Sequence, residues 1–263
     1  GLSAERVLGV DASYNLRYGD FKARISGYYT RIYDQSKVIS YYDDVAATFT
    51  NFAMSGIDKV HFGLEAAVSI PIYHTLALNG AVSWGQYTYD SNPYYLQTQD
   101  NSGDIVSDGY VYWKDFRVES TPQTAVNVGL SWRSNNNIYL SADFNYYNNM
   151  YLSMSPIYRT DAVITGGMAP GDIEHLRRQE KFDSAYTLNA SIGKNWYIHR
   201  KYTLGFSLDV KNILNNQDIK TGGYEQTRLS KNTETTVTTY QAFDSKYFYM
   251  FGTTYYLNLY FRF

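Results

Sequence analysis

Apolar residues recur at every second position over long runs of this chain, a period that admits β-strands and excludes amphipathic helices across most of its length. From Tyr202, the residues Tyr202, Leu204, Phe206, Leu208 and Val210 share one face, and Thr203, Gly205, Ser207, Asp209 and Lys211 the other. Leu8, Val10, Ala12, Tyr14 and Leu16 alternate in the same way with Gly9, Asp11, Ser13, Asn15 and Arg17. So do Ile138, Leu140, Ala142, Phe144 and Tyr146 with Tyr139, Ser141, Asp143, Asn145 and Tyr147. Further strands are predicted at about 21–33, 52–70, 76–89, 123–133, 185–198 and 247–263, which makes nine.

Alternation by itself fits a half-buried soluble sheet as well as a membrane barrel. Length separates the two. The runs hold roughly 10 to 20 residues, whereas globular strands cluster near five or six and a tilted membrane strand needs about 9 to 11. The polar faces carry Gly, Ser, Asn and Tyr with few charges, as the wall of a wet lumen does. Connections alternate between short (17–20, 71–74, 134–137, 199–201) and long (about 34–51, 90–122, 152–184, 213–246). Several structureless loops beyond about 15 residues are uncommon in a soluble domain, whereas outer-membrane barrels place short turns on one side and long loops on the other. Trp84, Trp132, Trp196, Tyr146 and Tyr202 fall on the apolar face near strand ends, where an interfacial belt puts amphipathic rings, although Tyr and Trp also suit strands in general.

Composition narrows the chemistry. No stretch approaches the roughly 18 apolar residues of a transmembrane helix. A net charge of −2 supplies no basic face for nucleic acid, and the absence of Cys removes disulfides, thiolate metal sites and a Cys nucleophile. The four histidines, His61, His74, His175 and His199, are scattered over a strand, two short turns and a long loop, so no metal site is expected. No nucleophile, base and orienting group converge, so no catalytic residue is nominated and no cofactor is called for.

At the carboxyl end, Tyr255, Leu257, Leu259, Phe261 and Phe263 share one face, and the chain stops on an aromatic. This resembles the terminal strand of bacterial outer-membrane proteins, which the barrel-assembly machinery reads. Upstream, Gly56-Ile57-Asp58-Lys59-Val60-His61-Phe62-Gly63-Leu64-Glu65, Thr121-Pro122-Gln123-Thr124-Ala125, Asn145-Tyr146-Tyr147-Asn148-Asn149-Met150-Tyr151 and Leu208-Asp209-Val210-Lys211-Asn212-Ile213-Leu214-Asn215-Asn216 resemble, in this order, the later strands of TonB-dependent outer-membrane transporters of the Bacteroidetes type. The resemblance implies an all-β, antiparallel 22-stranded transmembrane barrel with an amino-terminal plug, importing an extracellular nutrient on energy from the TonB–ExbB–ExbD complex. It further implies outer-membrane lipid as surroundings and, in the SusC-like branch, a surface lipoprotein as partner.

The sequence departs from that pattern by holding no plug, no TonB box and only nine strands. Residues 1–263 are therefore expected to be the carboxyl-terminal portion of a larger barrel, since an odd strand count puts the two ends on opposite sides of the membrane, and an open nine-stranded sheet standing alone in lipid would leave two unpaired edges.

Asp11, Arg24, Glu65, Asp143, Asp209 and Lys211 are expected to face the lumen, either as the wall along which plug and substrate move or as ordinary solvating charges. In the last long loop, Tyr224, Glu225 and Arg228 are the candidates for ligand contact; the loop at 152–184 adds Arg159 and the stretch Glu174-His175-Leu176-Arg177-Arg178-Gln179-Glu180-Lys181, with Glu174 and Arg178 at helical spacing. Other readings left open are a passive porin, an outer-membrane enzyme or adhesin barrel, and a soluble Tyr-rich β-sandwich that binds glycans.

Overall fold

In the computed structural model, residues 3–44, 46–73, 75–119, 121–165, 173–174, 177–199, 201–232 and 239–263 are described, with the backbone alone at 230–232 and 239–241. In chain order the strands are β1 (Arg6–Tyr18), β2 (Phe21–Asp43), β3 (Thr48–Tyr73), β4 (Leu76–Tyr89), β5 (Tyr94–Gln99), β6 (Ile105–Tyr110), β7 (Thr124–Arg133) and β8 (Ile138–Asn148). They continue with β9 (Ala185–Ile198), β10 (Tyr202–Lys211), β11 (Lys220–Tyr224), β12 (Leu229–Asn232), β13 (Thr239–Ala242), β14 (Lys246–Tyr249) and β15 (Thr254–Arg262). A 3-10 turn at Ile157–Arg159 and a short helix α1 (Asp161–Thr165) precede β9.

Among the described residues, nine of these strands form one antiparallel wall in the order β1-β2-β3-β4-β7-β8-β9-β10-β15. Their register explains the period-two pattern, because paired residues of antiparallel strands project to the same side. One row runs Tyr14–Ile25–Ala66–Val82–Val126–Tyr146–Tyr186, apolar throughout; the row beside it runs Ser13–Ser26–Glu65–Ser83–Ala125–Tyr147–Ala185. The apolar face is left open: Val10 is 63% exposed, Leu64 55% and Leu259 71%. A soluble sheet would cover such a face, and lipid is a solvent in which it is stable uncovered. No helix among the described residues is long and apolar enough to cross a membrane.

Glycines on the polar face make room for tyrosine rings of the neighbouring strands. Gly193 lies opposite Tyr139, and Gly205 opposite Tyr260. At each, a Cβ would overlap the facing Tyr ring, so the ring lies flat across bare backbone. The Tyr260 hydroxyl then reaches Asn195 on the next strand, stitching three strands together.

The long connections are structured, which corrects the expectation of loops without secondary structure. β2 and β3 run on past the predicted limits of 33 and 52 as a paired hairpin, and β5–β6 adds to the upper part of β3. At about 3.3 Å per residue, the 26 residues of β3 reach ~85 Å, against an apolar band about 25 Å tall. Two bulges mark the departure from the wall, one in β2 at Asp34 (φ 59°) and one in β3 at Gly56 (φ 74°). Each flips the parity of its strand. The side that carries Lys59, His61 and Glu65 below therefore carries Phe52 and Met54 above.

Those residues found the one large apolar core among the described residues. Phe52 stacks on Tyr95 (centroids 4.6 Å apart), and Tyr41, Met54, Ile57, Tyr89, Val111, Trp113, Met154, Ile157, Tyr158, Val163 and Leu229 complete it. The core thus draws on all four long connections. The final predicted strand, 247–263, is also corrected: Met250–Thr253 interrupts it, β14 pairs with β11, and only β15 belongs to the wall. The interruption is fixed by Asn212, whose Nδ2 donates to the carbonyls of Asn216 (2.9 Å) and Phe251 (3.1 Å) while its own carbonyl accepts from Thr253 Oγ1 (2.9 Å).

Candidate functional site: the polar face and the loop crown

The register places Asp11, Arg24, Glu65, Asp143, Asp209 and Lys211 on the polar face, opposite Tyr28, Asn15, Ser26, Gly129, Ser191 and Thr254 respectively. Among the described residues no salt bridge neutralises any of the six. Arg24 instead donates to the hydroxyls of Ser26 (3.0 Å) and Ser13 (3.2 Å). Amide and hydroxyl side chains link the strands around them: Asn127 donates to Asn145 (2.8 Å), Ser141 pairs with Ser191 (2.8 Å) and Tyr28 with Tyr87 (2.6 Å). Between Arg24, Glu65, Asn127, Asn145 and Tyr147 this face holds a shallow trough of about 300 Å³, floored by Ala67, Ala81 and Ala125. Neutral hydrogen-bonding groups with sparse charges of both signs are the composition of a polar barrel interior.

His61 sits on this face with its ring 4.8 Å from that of Tyr87, and His199 follows β9 in an exposed turn. His74 and His175 lie outside the described residues, as do Leu176 and Arg200 of the predicted turn and loop. Among the described residues no group of three His, Asp or Glu could hold a metal ion. Glu174 and Arg178 form the exposed i,i+4 ion pair at 2.5 Å.

Above the wall the four connections interlock, and two of the three ligand-contact candidates take part. Glu225 accepts a bidentate pair from Arg159, Nη1 at 2.5 Å and Nη2 at 2.9 Å, and also the backbone N–H of Ser155 at 2.8 Å. The Arg159 side chain is only 1% exposed and that of Glu225 13%. Arg228 makes a second bidentate pair, with Asp44 at 2.9 Å on both oxygens, and its guanidinium lies 4.7 Å from the ring centre of Phe243. The hydrogen bonds from Arg228 hold the Asp44 carboxyl below its usual range. Tyr158 donates to the Arg228 carbonyl at 2.7 Å, and burial pushes its phenol up to about 12. Gln97, 6% exposed, donates to Tyr41, Asp43 and Thr50, tying the second connection to the first. Gln179 brackets Arg117, accepting from its N–H (2.8 Å) and donating to its carbonyl (2.7 Å), which joins the third connection to the second.

Tyr224 remains 44% exposed, its ring 5.9 Å from that of Phe248, at the end of β11 where it pairs with β14. The partners Asp44 and Arg159 were not legible as such: Asp44 lies 184 residues from Arg228 and no local spacing announces the pair. Tyr255, Leu257, Leu259 and Phe261 project from the apolar face of β15, and Phe263 follows it, 90% exposed. Among the described residues β15 pairs with β10 alone and β1 with β2 alone, so one edge of each is open.

No family model and no curated protein matches the sequence. Solved structures do. The chain is similar to the copper transporter OprC, with a TM-score of 0.57 at 10% identity over 98% of this chain and 31% of that one. It is also similar to the FrpB iron transporter from Neisseria meningitidis (F3-3 variant), with a TM-score of 0.50 at 14% identity over 100% of this chain and 32% of that one. The chain spans under a third of the length of either. At these identities the likeness establishes the fold alone, and the nine-strand wall has the fold of part of an all-β barrel.

Proposed function

We propose that residues 1–263 are the carboxyl-terminal wall of a TonB-dependent outer-membrane transporter, a protein that binds an extracellular nutrient and imports it to the periplasm. The observation that carries this is a nine-strand antiparallel wall, apolar on one face and polar on the other, open at both edges and similar along its whole length to part of two transporter barrels. Open edges in hydrocarbon leave backbone groups unpaired at several kcal/mol each. The rest of the barrel would pair with β1 and β15, and a plug supplied by the same protein would fill the polar side and engage TonB–ExbB–ExbD. Asp11, Arg24, Glu65, Asp143, Asp209 and Lys211 would then line the conduit, and the crown, with Tyr224 at its exposed side, would meet the ligand. Phe263 and the alternating residues before it would serve the barrel-assembly machinery. The finer likeness to Bacteroidetes members, including a lipoprotein partner, rests on the quoted sequence segments. No step of this function calls for covalent chemistry.

The test is the intact mass of the polypeptide purified from outer membranes, followed by uptake with and without TonB. A chain roughly three times as long as this one, with uptake lost in the absence of TonB, is the expected result. Uptake that persists without TonB would replace active transport by a passive pore. A monodisperse protein in the absence of detergent would overturn the membrane reading altogether.

A further inference from the structure

We propose that the apolar face carries a binding site for the headgroup of an anionic phospholipid of the periplasm-facing leaflet, built on Lys194 and Lys201. The proposal rests on the membrane-wall reading above. Lys194 is a cation in an apolar row: its register partners are Ile138 on β8 and Phe206 on β10, and Ile192 and Trp196 flank it on the same face of β9. The lipid-facing side of a barrel tolerates such a charge only as it nears the interface.

The fold provides that interface as a step. The β7–β8 turn ends level with Lys194, where the Asn195 N–H donates to the Asn137 carbonyl at 3.1 Å. The β9–β10 hairpin continues beyond it through Trp196, Ile198, Tyr202 and Leu204. Polar turn residues 134–137 therefore roof one side of the step, and an apolar, aromatic hairpin forms the other. Within it Lys194 Nζ lies 5.2 Å from the ring centre of Trp196, and at the hairpin tip Lys201 Nζ lies 5.2 Å from that of Tyr202.

Among the described residues neither lysine has a carboxylate partner. A lysine that merely reaches for water needs one exit; here two ammonium groups without a carboxylate partner belong to one hairpin, one in its strand and one at its tip, each beside a ring that suits acyl chains. That arrangement matches a phosphate ester held at the membrane surface with its chains on Phe206, Leu204 and Trp196.

The experiment is native mass spectrometry of the full polypeptide in mild detergent, titrated with phosphatidylglycerol and, in parallel, phosphatidylcholine. The wild type is expected to retain phosphatidylglycerol preferentially. Lys194→Gln should weaken that retention about fivefold and Lys194→Gln with Lys201→Gln about thirtyfold, at the usual increment per basic residue near an anionic membrane. Lys194→Arg should keep it, as should Lys22→Gln on the polar face. Equal retention of the two lipids by the wild type, or undiminished phosphatidylglycerol retention by the double variant, would overturn the site while leaving the wall reading intact. Solubility without detergent would sink both, and is read before any lipid is added.

Discussion

Replacing Glu225 by Ala tests whether the crown is held as one body. The substitution leaves the Arg159 guanidinium, 1% exposed, with the Ser155 carbonyl at 3.0 Å, the Phe116 ring 5.4 Å away and an Nε that has no partner even in the intact structure. Stranding one partner of a buried pair costs about 3–5 kcal/mol, whereas replacing both by apolar residues of similar volume is close to neutral. At a factor of ten per ~1.4 kcal/mol, Glu225→Ala should raise the equilibrium opening of the crown between about a hundredfold and a few thousandfold.

Hydrogen exchange on the purified protein reads this residue by residue. The amides of Val111, Ser155 and Glu225, which donate to Pro93, to the Glu225 carboxylate and to Ser153 in the intact crown, should exchange faster. Those of Leu140 and Ile192 in the wall should not change. Arg159→Met with Glu225→Leu should restore most of the protection. Wild-type protection in Glu225→Ala, or a double variant as open as the single one, would refute the argument. The same logic governs any uptake assay on Tyr224, Glu225 and Arg228: removing all three dismantles the crown, while Tyr224→Ala removes an exposed ring and isolates ligand contact.

Three further outcomes are expected. Gly193→Val places a branched side chain where the Tyr139 ring lies, so the folded protein should form in lower yield and unfold at a lower temperature, and Tyr139→Ala in the same chain should recover part of the loss. The depressed Asp44 carboxyl favours the crown above its unfolded value near 3.8 and loses that contribution as pH falls below it, so the protection factor of the Ala46 amide, taken against its intrinsic exchange rate at each pH, should fall in acid in the wild type and not in Asp44→Asn. Tyr158, raised to about 12, should stay un-ionised in the folded protein while free tyrosines titrate near 10; its contribution is complete below pH 10 and lost as pH rises toward 12, which absorbance at 295 nm checks against Tyr158→Phe.

The wall was legible because one physical rule governs it. Every residue from Leu8 to Leu16 or from Tyr202 to Val210 lies on either the apolar or the polar side of the wall, and a two-residue period records that choice directly. The crown obeys no such rule. Its bulges at Asp34 and Gly56 reverse the parity of β2 and β3, so Phe52 and Met54 read as a continuation of an ordinary strand while they found a core. Its pairs, Arg228 with Asp44 and Arg159 with Glu225, join residues far apart in the chain, and nothing in local spacing anticipates them. Glu225 and Arg228 were singled out for being charged and aromatic-flanked in a loop, and the same properties qualify a residue for an intramolecular clamp.

The shared core above the wall bears on how such a protein diversifies. Four connections that contribute to one apolar cluster and two bidentate pairs cannot be exchanged one at a time between relatives, because each graft would bring a surface without its counterpart. Recombination that respects the core must carry Tyr41, Phe52, Trp113, Tyr158 and Leu229 together, whereas the exposed rims at Phe49, Ile105 and Phe251 are free to vary. An engineer reshaping this surface would therefore vary those rims or transplant the crown whole, leaving the wall beneath it unchanged.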